Sequence, residues 1–120
     1  MTTRPRRRAT TALAASQASE TFKTPRITER AFQAQVEQYA RMMGWLTFHT
    51  WNSMRSVAGF PDLVCLRGGE LVVAELKSAT GKTTEAQEQW LFSFRAVPGA
   101  TVFVWRPDDA SWAEIERMLR

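Results

Sequence analysis

Two apolar, β-branched runs meet at Gly68-Gly69, and this junction restricts the fold more than any other part of the chain. The first run is Leu63-Val64-Cys65-Leu66 and the second is Leu71-Val72-Val73-Ala74. A Gly-Gly pair between such runs predicts a two-residue hairpin, because the tight turns that match strand twist need φ > 0 at their centre. The register follows by counting outward from the turn. Arg67 faces Glu70, Leu66 faces Leu71, and Asp62 comes to face Glu75. Cross-strand partners project from one face with Cβ atoms roughly 5 Å apart. Side chains alternate along a strand, so Lys77 shares that face with Glu75 while Leu76 points away. Two carboxylates and an ammonium therefore converge.

The face carrying Asp62 also carries Val64, Leu66, Leu71 and Val73; the other carries Leu63, Cys65, Val72, Ala74 and Leu76. With both faces apolar, the sheet is expected to be covered on both sides, chiefly by helices. Upstream, Thr28 is a suitable N-cap, and Phe32, Val36, Tyr39, Ala40 and Met43 recur at the spacing of one helix face, which Gly44 closes. Trp45 to Thr50 is predicted as a strand from its aromatic and β-branched content, followed by a polar loop, Asn52 to Gly59, that carries Arg55. Downstream, Ser78 to Lys82 is a linker. Thr84-Glu85-Ala86-Gln87 is a capping-box pattern opening a helix whose buried stripe is expected to be Ala86, Trp90, Phe94 and Val97. Pro98-Gly99 turns the chain into a strand over Ala100 to Trp105, and a short last helix places Trp112, Ile115 and Leu119 inward. The order is α-β-β-β-α-β-α, without internal repeat.

At 120 residues the chain fits one domain with a core that needs no disulfide or structural zinc. Its single cysteine, Cys65, lies in an apolar run and is expected to be plain core in a reducing, cytoplasmic setting. No apolar run approaches the roughly 18 residues of a membrane span, and no h-region follows the basic start. The first 24 residues hold five basic residues and one acid, which accounts for the whole formal net charge of +4. Residues 1–24 are thus expected to be a disordered basic arm, and residues 25–120 the folded domain. Arg6, Arg7 and Arg8 in that arm are candidates for contacts to nucleic-acid phosphates, although solvated arms of this kind are common. The balanced charge of the body gives no independent sign of a polyanionic partner.

The element order, with Pro61-Asp62 on the second strand and Glu75-Leu76-Lys77 on the third, resembles the PD-(D/E)xK nuclease superfamily. Within it, the chain is similar to the virus-type replication-repair nuclease (VRR-NUC) family. Glu29, His49-Thr50, Arg55, Gly59-Phe60-Pro61-Asp62, Glu75-Leu76-Lys77, Gly81-Lys82 and Gln87 carry the likeness, over about residues 27–107. An Asp…Glu-x-Lys pattern alone is weak; the hairpin register and the Gly81…Gln87 segment make it specific. The resemblance implies an α/β fold with a restriction-endonuclease-like αβββαβ core, a mixed central sheet flanked by helices. It also implies a divalent-metal-dependent DNA endonuclease that is a homodimer acting on branched DNA such as four-way (Holliday) junctions. The basic arm has no counterpart in the family core.

The chemistry fits the residues. Phosphodiester hydrolysis needs a water deprotonated near neutral pH and cancellation of charge on the phosphoryl oxygens, and a divalent cation supplies both. Mg²⁺, or Mn²⁺ in its place, takes oxygen ligands and keeps several waters, so Asp62 and Glu75 suffice to hold it. The resemblance adds the backbone carbonyl of Leu76 as a third ligand. Lys77 then orients the attacking water or meets the charge on phosphorus. Glu29 has two readings, a metal-site acid looking inward from the first helical turn, or an exposed acid complementing the helix dipole; the resemblance favours the first. Gln87 is explained by the capping box alone, while the resemblance places it against Lys77 or the scissile phosphate. Arg55, Lys82 and His49 are candidate DNA contacts, against the plainer readings of loop charges and a packed strand histidine. Trp51 at the loop entrance is a candidate for stacking on a base. Glu37 falls at the edge of the helical stripe and is the weaker acid there. Two alternatives remain: a non-catalytic DNA-binding or assembly protein on the same fold, and a nickase or restriction-type nuclease without junction preference.

Overall fold

The computed structural model describes residues 27–50 and 57–120. Helix α1 (Glu29–Met42) leads into strand β1 (Leu46–His49), followed by β2 (Leu63–Arg67) and β3 (Glu70–Leu76). Helix α2 (Glu85–Arg95) then crosses to β4 (Ala100–Trp105), and α3 (Asp109–Leu119) ends the order. The four strands form one sheet in the order β1-β2-β3-β4, antiparallel between β1 and β2 and between β2 and β3, parallel between β3 and β4. This is the expected mixed α/β architecture with helices flanking a central sheet. The arm over residues 1–24, with Arg6, Arg7 and Arg8, lies outside the described residues, as do Trp51 and Arg55. Among the described residues no helix is long and apolar enough to cross a membrane.

The hairpin has the register its glycines dictate. Gly68 and Gly69 both adopt positive φ, 54° and 85°, and Arg67 pairs with Glu70, Leu66 with Leu71, and so on to Leu63 with Ala74. One face of the sheet is sealed. Leu63, Cys65, Val72, Ala74, Leu76 and Trp105 from the strands pack with Phe32, Val36 and Ala40 of α1 and Ile115 and Leu119 of α3. Burial in this layer pushes the Cys65 thiol up to about 12, with the Glu37 charge adding to it, so the residue is an inert core group.

The other face departs from expectation. Its β3 end is buried at Val73, but Leu46, Phe48 and Leu66 on β1 and β2 remain 72%, 58% and 48% exposed. Helix α2 lies against β4, at the far side of the sheet from β1. The α2 stripe is also rotated from the expected one. Leu91 is fully buried, whereas Trp90 and Phe94 are half-buried, Val97 is 46% exposed and Phe92 is 74% exposed. Apolar periodicity could not reveal this, because the side chain one turn before Leu91 that turns inward is a polar one, Gln87.

Arg67, at the turn end of β2, ties the far end of the core together. Its Nη1 donates to the carbonyls of Met43 (2.8 Å) and Leu119 (3.1 Å), and its Nη2 donates to that of Arg120 (3.2 Å). The guanidinium lies 4.3 Å from the Trp45 ring centroid, and Trp45 Nε1 donates to Leu119 O at 2.7 Å. One cation thus meets carbonyls that the C-terminal ends of α1 and α3 leave open. Arg67→Met keeps the apolar stem and removes these donors. It is expected to cost about 1–3 kcal/mol, read as a lower melting temperature, with the geometry around Asp62 and Glu75 unchanged.

Candidate active site

Asp62 lies one residue before β2, at the next hairpin rung after Leu63–Ala74, where Glu75 is its counterpart. It is fixed from both sides. Its Oδ2 accepts from the Leu76 backbone N–H at 2.8 Å, and its own carbonyl accepts from Thr50 N–H at 2.9 Å. The Thr50 hydroxyl donates to Pro61 O at 2.9 Å, which ties the end of β1 to the Pro-Asp step. Leu76, whose carbonyl was a candidate ligand, has its side chain buried in the core on the other face of the sheet.

Glu75 is 2% exposed and Lys77 is 8% exposed. Glu75 Oε2 accepts from Gln87 Nε2 at 2.9 Å and lies 3.3 Å from Lys77 Nζ. Lys77 Nζ in turn donates to Gln87 Oε1 at 2.8 Å. That oxygen also accepts from Thr84 N–H (2.8 Å), while Thr84 Oγ1 accepts from Gln87 N–H (3.1 Å). One side chain therefore makes both sets of contacts. It closes the capping box of α2 and, with the same amide, clamps Glu75 and Lys77.

The remaining carboxylate oxygen, Glu75 Oε1, is buried without a hydrogen-bond partner among the described residues. A buried anion left so is costly. Burial and the adjacent Asp62 carboxylate push Glu75 up to about 8, with Lys77 pulling the other way. Without a cation the pair is relieved by keeping a proton; a divalent ion held by the two carboxylates would relieve it as well. An orphaned oxygen beside a second carboxylate is what such an ion requires, so the residues fit it.

Position 59 holds α2 in place. Gly59 has φ 81°, and a Cβ built on it would lie 2.5 Å from Ala86 C and 2.7 Å from Gln87 N. Next to it, the Phe60 ring meets Trp90 and Phe94 edge-on at 5.0 and 6.1 Å, and Trp90 Nε1 donates to Ala58 O at 3.2 Å. The half-buried aromatic flank of α2 thus sets where Gln87 stands. On the other side, Arg106 Nη1 donates to the carbonyls of Ser78 and Gly81, bracing the loop that presents the exposed Lys82.

Other expected site residues are not brought in. Glu29 is exposed at the first position of α1, and among the described residues no three His, Cys, Asp or Glu side chains group closely enough to hold a metal ion. Glu29 therefore does not stand with Asp62 and Glu75 here. The acid that α1 does bury is Glu37, 8% exposed, which accepts from His49 Nδ1 at 2.8 Å, Thr47 Oγ1 at 3.0 Å and Arg41 Nη2 at 2.9 Å. Burial pushes its carboxyl up, but the His49 and Thr47 hydrogen bonds and the charges of His49 and Arg41 outweigh this and leave it below its usual value. The signal for it was available: Thr47 and His49 alternate onto the α1 face of β1, and Glu37 borders the buried position Val36.

No family model matches the chain, and no curated protein matches it. A solved structure described as a VRR_NUC domain protein has the same fold, with a TM-score of 0.59 over 79% of this chain and 89% of that one, at 18% sequence identity.

Proposed function

We propose that the chain is a divalent-metal-dependent DNA endonuclease, with Asp62, Glu75 and the Leu76 carbonyl holding Mg²⁺ or Mn²⁺. The single observation that carries this reading is the buried, unpartnered Glu75 Oε1 beside Asp62. The cation, when bound, supplies a water acidic enough to attack phosphorus and charge to offset that on the phosphoryl oxygens. Lys77 faces the same space and meets negative charge there, held on line by Gln87. Gln87 fixes Glu75 Oε2 so that the other oxygen stays turned towards Asp62. Lys82, Arg55, Arg6, Arg7 and Arg8 are backbone contacts in this reading, and Glu29 joins the site only if the first turn of α1 shifts inward. The substrate is branched DNA of the four-way-junction class, cut by a homodimer whose two copies supply the two symmetric incisions. The likeness of sequence pattern and fold to VRR-NUC proteins supports this.

The test is incubation of the purified protein with four-way junction, flap, linear duplex and single-stranded DNA, with Mg²⁺ or with chelator. Cleavage with Mg²⁺ alone, falling about 10²–10⁴-fold in Lys77→Ala, is expected. Absence of metal-dependent cutting of every substrate, or undiminished cutting by Lys77→Ala, refutes the enzymatic reading. Equal cutting of linear duplex removes the junction preference and leaves the nuclease.

A further inference from the structure

A cavity lies across the sheet from the carboxylate pair. It encloses about 220 Å³ between α1 and the end of β1, lined by Arg30, Gln33, Ala34, Glu37, His49 and Thr50. His49 pairs with Leu63 in the ladder, so its side chain faces α1, on the sealed side of the sheet. Thr50 closes the cavity at the end where its backbone and hydroxyl hold Asp62 and Pro61. The cavity and the cutting centre therefore share the same strand end.

Charge decides what the cavity takes. Its one acid, Glu37, is already met by His49, Thr47 and Arg41. Arg30 has no carboxylate within ion-pair distance among the described residues, and Gln33 and Thr50 add neutral polar groups. Arg41, from outside the lining, offsets Glu37, and the Thr50 donors are spent on Asp62 and Pro61, so the Arg30 guanidinium and the Gln33 amide are the donors left uncommitted among the described residues. A phosphate oxygen suits such a place, because an arginine with an amide neighbour is a usual means of gripping one.

We propose that this cavity is a phosphate subsite for the DNA backbone, with Arg30 and Gln33 gripping the phosphate, and His49, positioned by Glu37, in the wall beside it. The inference rests on the nuclease reading above and adds where the strand is held beside the cut. Glu37 is not a ligand of the phosphate. It holds the imidazole by Nδ1 and keeps the ring turned to the cavity.

The test uses the full chain without metal, so that binding is read apart from cleavage. Affinity for labelled junction and duplex DNA is measured by anisotropy over a range of salt, for the native chain, Arg30→Gln and Gln33→Ala. In parallel, the imidazole resonance of His49, the single histidine of the chain, is followed on adding DNA or inorganic phosphate. Arg30→Gln is expected to weaken DNA binding about five- to tenfold and to lower the slope of log K against log salt by about one. The His49 signal is expected to move with DNA and much less with phosphate at equal phosphate concentration. Unchanged affinity and slope in Arg30→Gln, or a stationary His49 signal with DNA bound, overturns the subsite. So does a signal that responds to free phosphate alone, or failure of the chain to bind DNA. Loss of the subsite with metal-dependent cleavage intact leaves the nuclease reading standing, and absent cleavage with these shifts present rejects that reading separately.

Discussion

Glu75→Gln is expected to abolish metal-dependent cleavage, by about 10³-fold or more, and at the same time to stabilise the metal-free protein near pH 8. The first effect follows because an amide oxygen is a poor partner for a divalent cation and the Asp62 carboxylate alone holds it weakly. The second follows from burial. Glu75 is 2% exposed, lies against Asp62, and leaves one oxygen without a partner. Its carboxyl holds its proton up to about 8 in the folded chain, against an ordinary value of 4.5. Between these values the folded state binds more protons than the unfolded one. Its contribution to stability is therefore full below about pH 4.5 and is lost as pH rises through about 8. The substitution removes that loss. Melting temperatures of the metal-free native chain should fall across this interval, and those of Glu75→Gln should fall less. Glu37, held below its usual value, acts only in acid: its contribution is present above about pH 4.5 and is lost below it. An inactive variant that is less stable than the native chain at pH 8 would show that Glu75 is no strained ligand but an ordinary structural acid.

Gly59→Ala is expected to be the most damaging change of a single methyl group. The position has φ 81°, where an L-residue is strained, and the added Cβ would meet Ala86 C at 2.5 Å and Ala86 O at 2.6 Å. Backbone cannot yield as a side-chain tip does, so the first turn of α2 must move. That turn carries Gln87, whose amide spans Glu75 and Lys77 at 2.9 and 2.8 Å. A shift of one ångström there breaks both hydrogen bonds and frees Lys77 from its line. The expected results are a stability loss of about 2–5 kcal/mol and cleavage reduced about 10²-fold even well below the melting temperature. Gly69→Ala is the control. Its φ is 85° but nothing lies within 4 Å of its added Cβ, so it should bear the strain cost alone and keep cleavage near the native rate. Equal activity in both variants would show that the close approach of α2 does not set the site.

These two residues also show what a sequence discloses and what it hides. The register that joins Asp62 to Glu75 is readable because a two-residue glycine turn leaves no freedom: counting outward from Gly68 and Gly69 gives the pairs that form. The role of Gln87 is half readable, since the capping box announces its place on α2 but not that the same amide reaches across to the sheet. The rotation of α2 is hidden for the same reason, because its inward line joins a polar residue to Leu91 while Trp90 and Phe94 turn aside to Phe60. Glu29 and Glu37 mark the limit of helical periodicity. Both border the apolar stripe, and only a partner on another strand decides which is buried. Glu37 finds His49 and Thr47 on β1, whereas Glu29 has no such partner among the described residues and stays exposed.

The central claim is that Asp62 and Glu75 together hold one divalent cation in place of a proton. Calorimetric titration of the metal-free chain with Mn²⁺ at about pH 7, repeated in buffers of different ionisation enthalpy, measures this directly. Saturable binding with roughly one proton released per cation, falling towards none above about pH 9, and lost in Glu75→Gln, is the predicted result. Binding without proton release, or binding that survives Glu75→Gln unchanged, would contradict it.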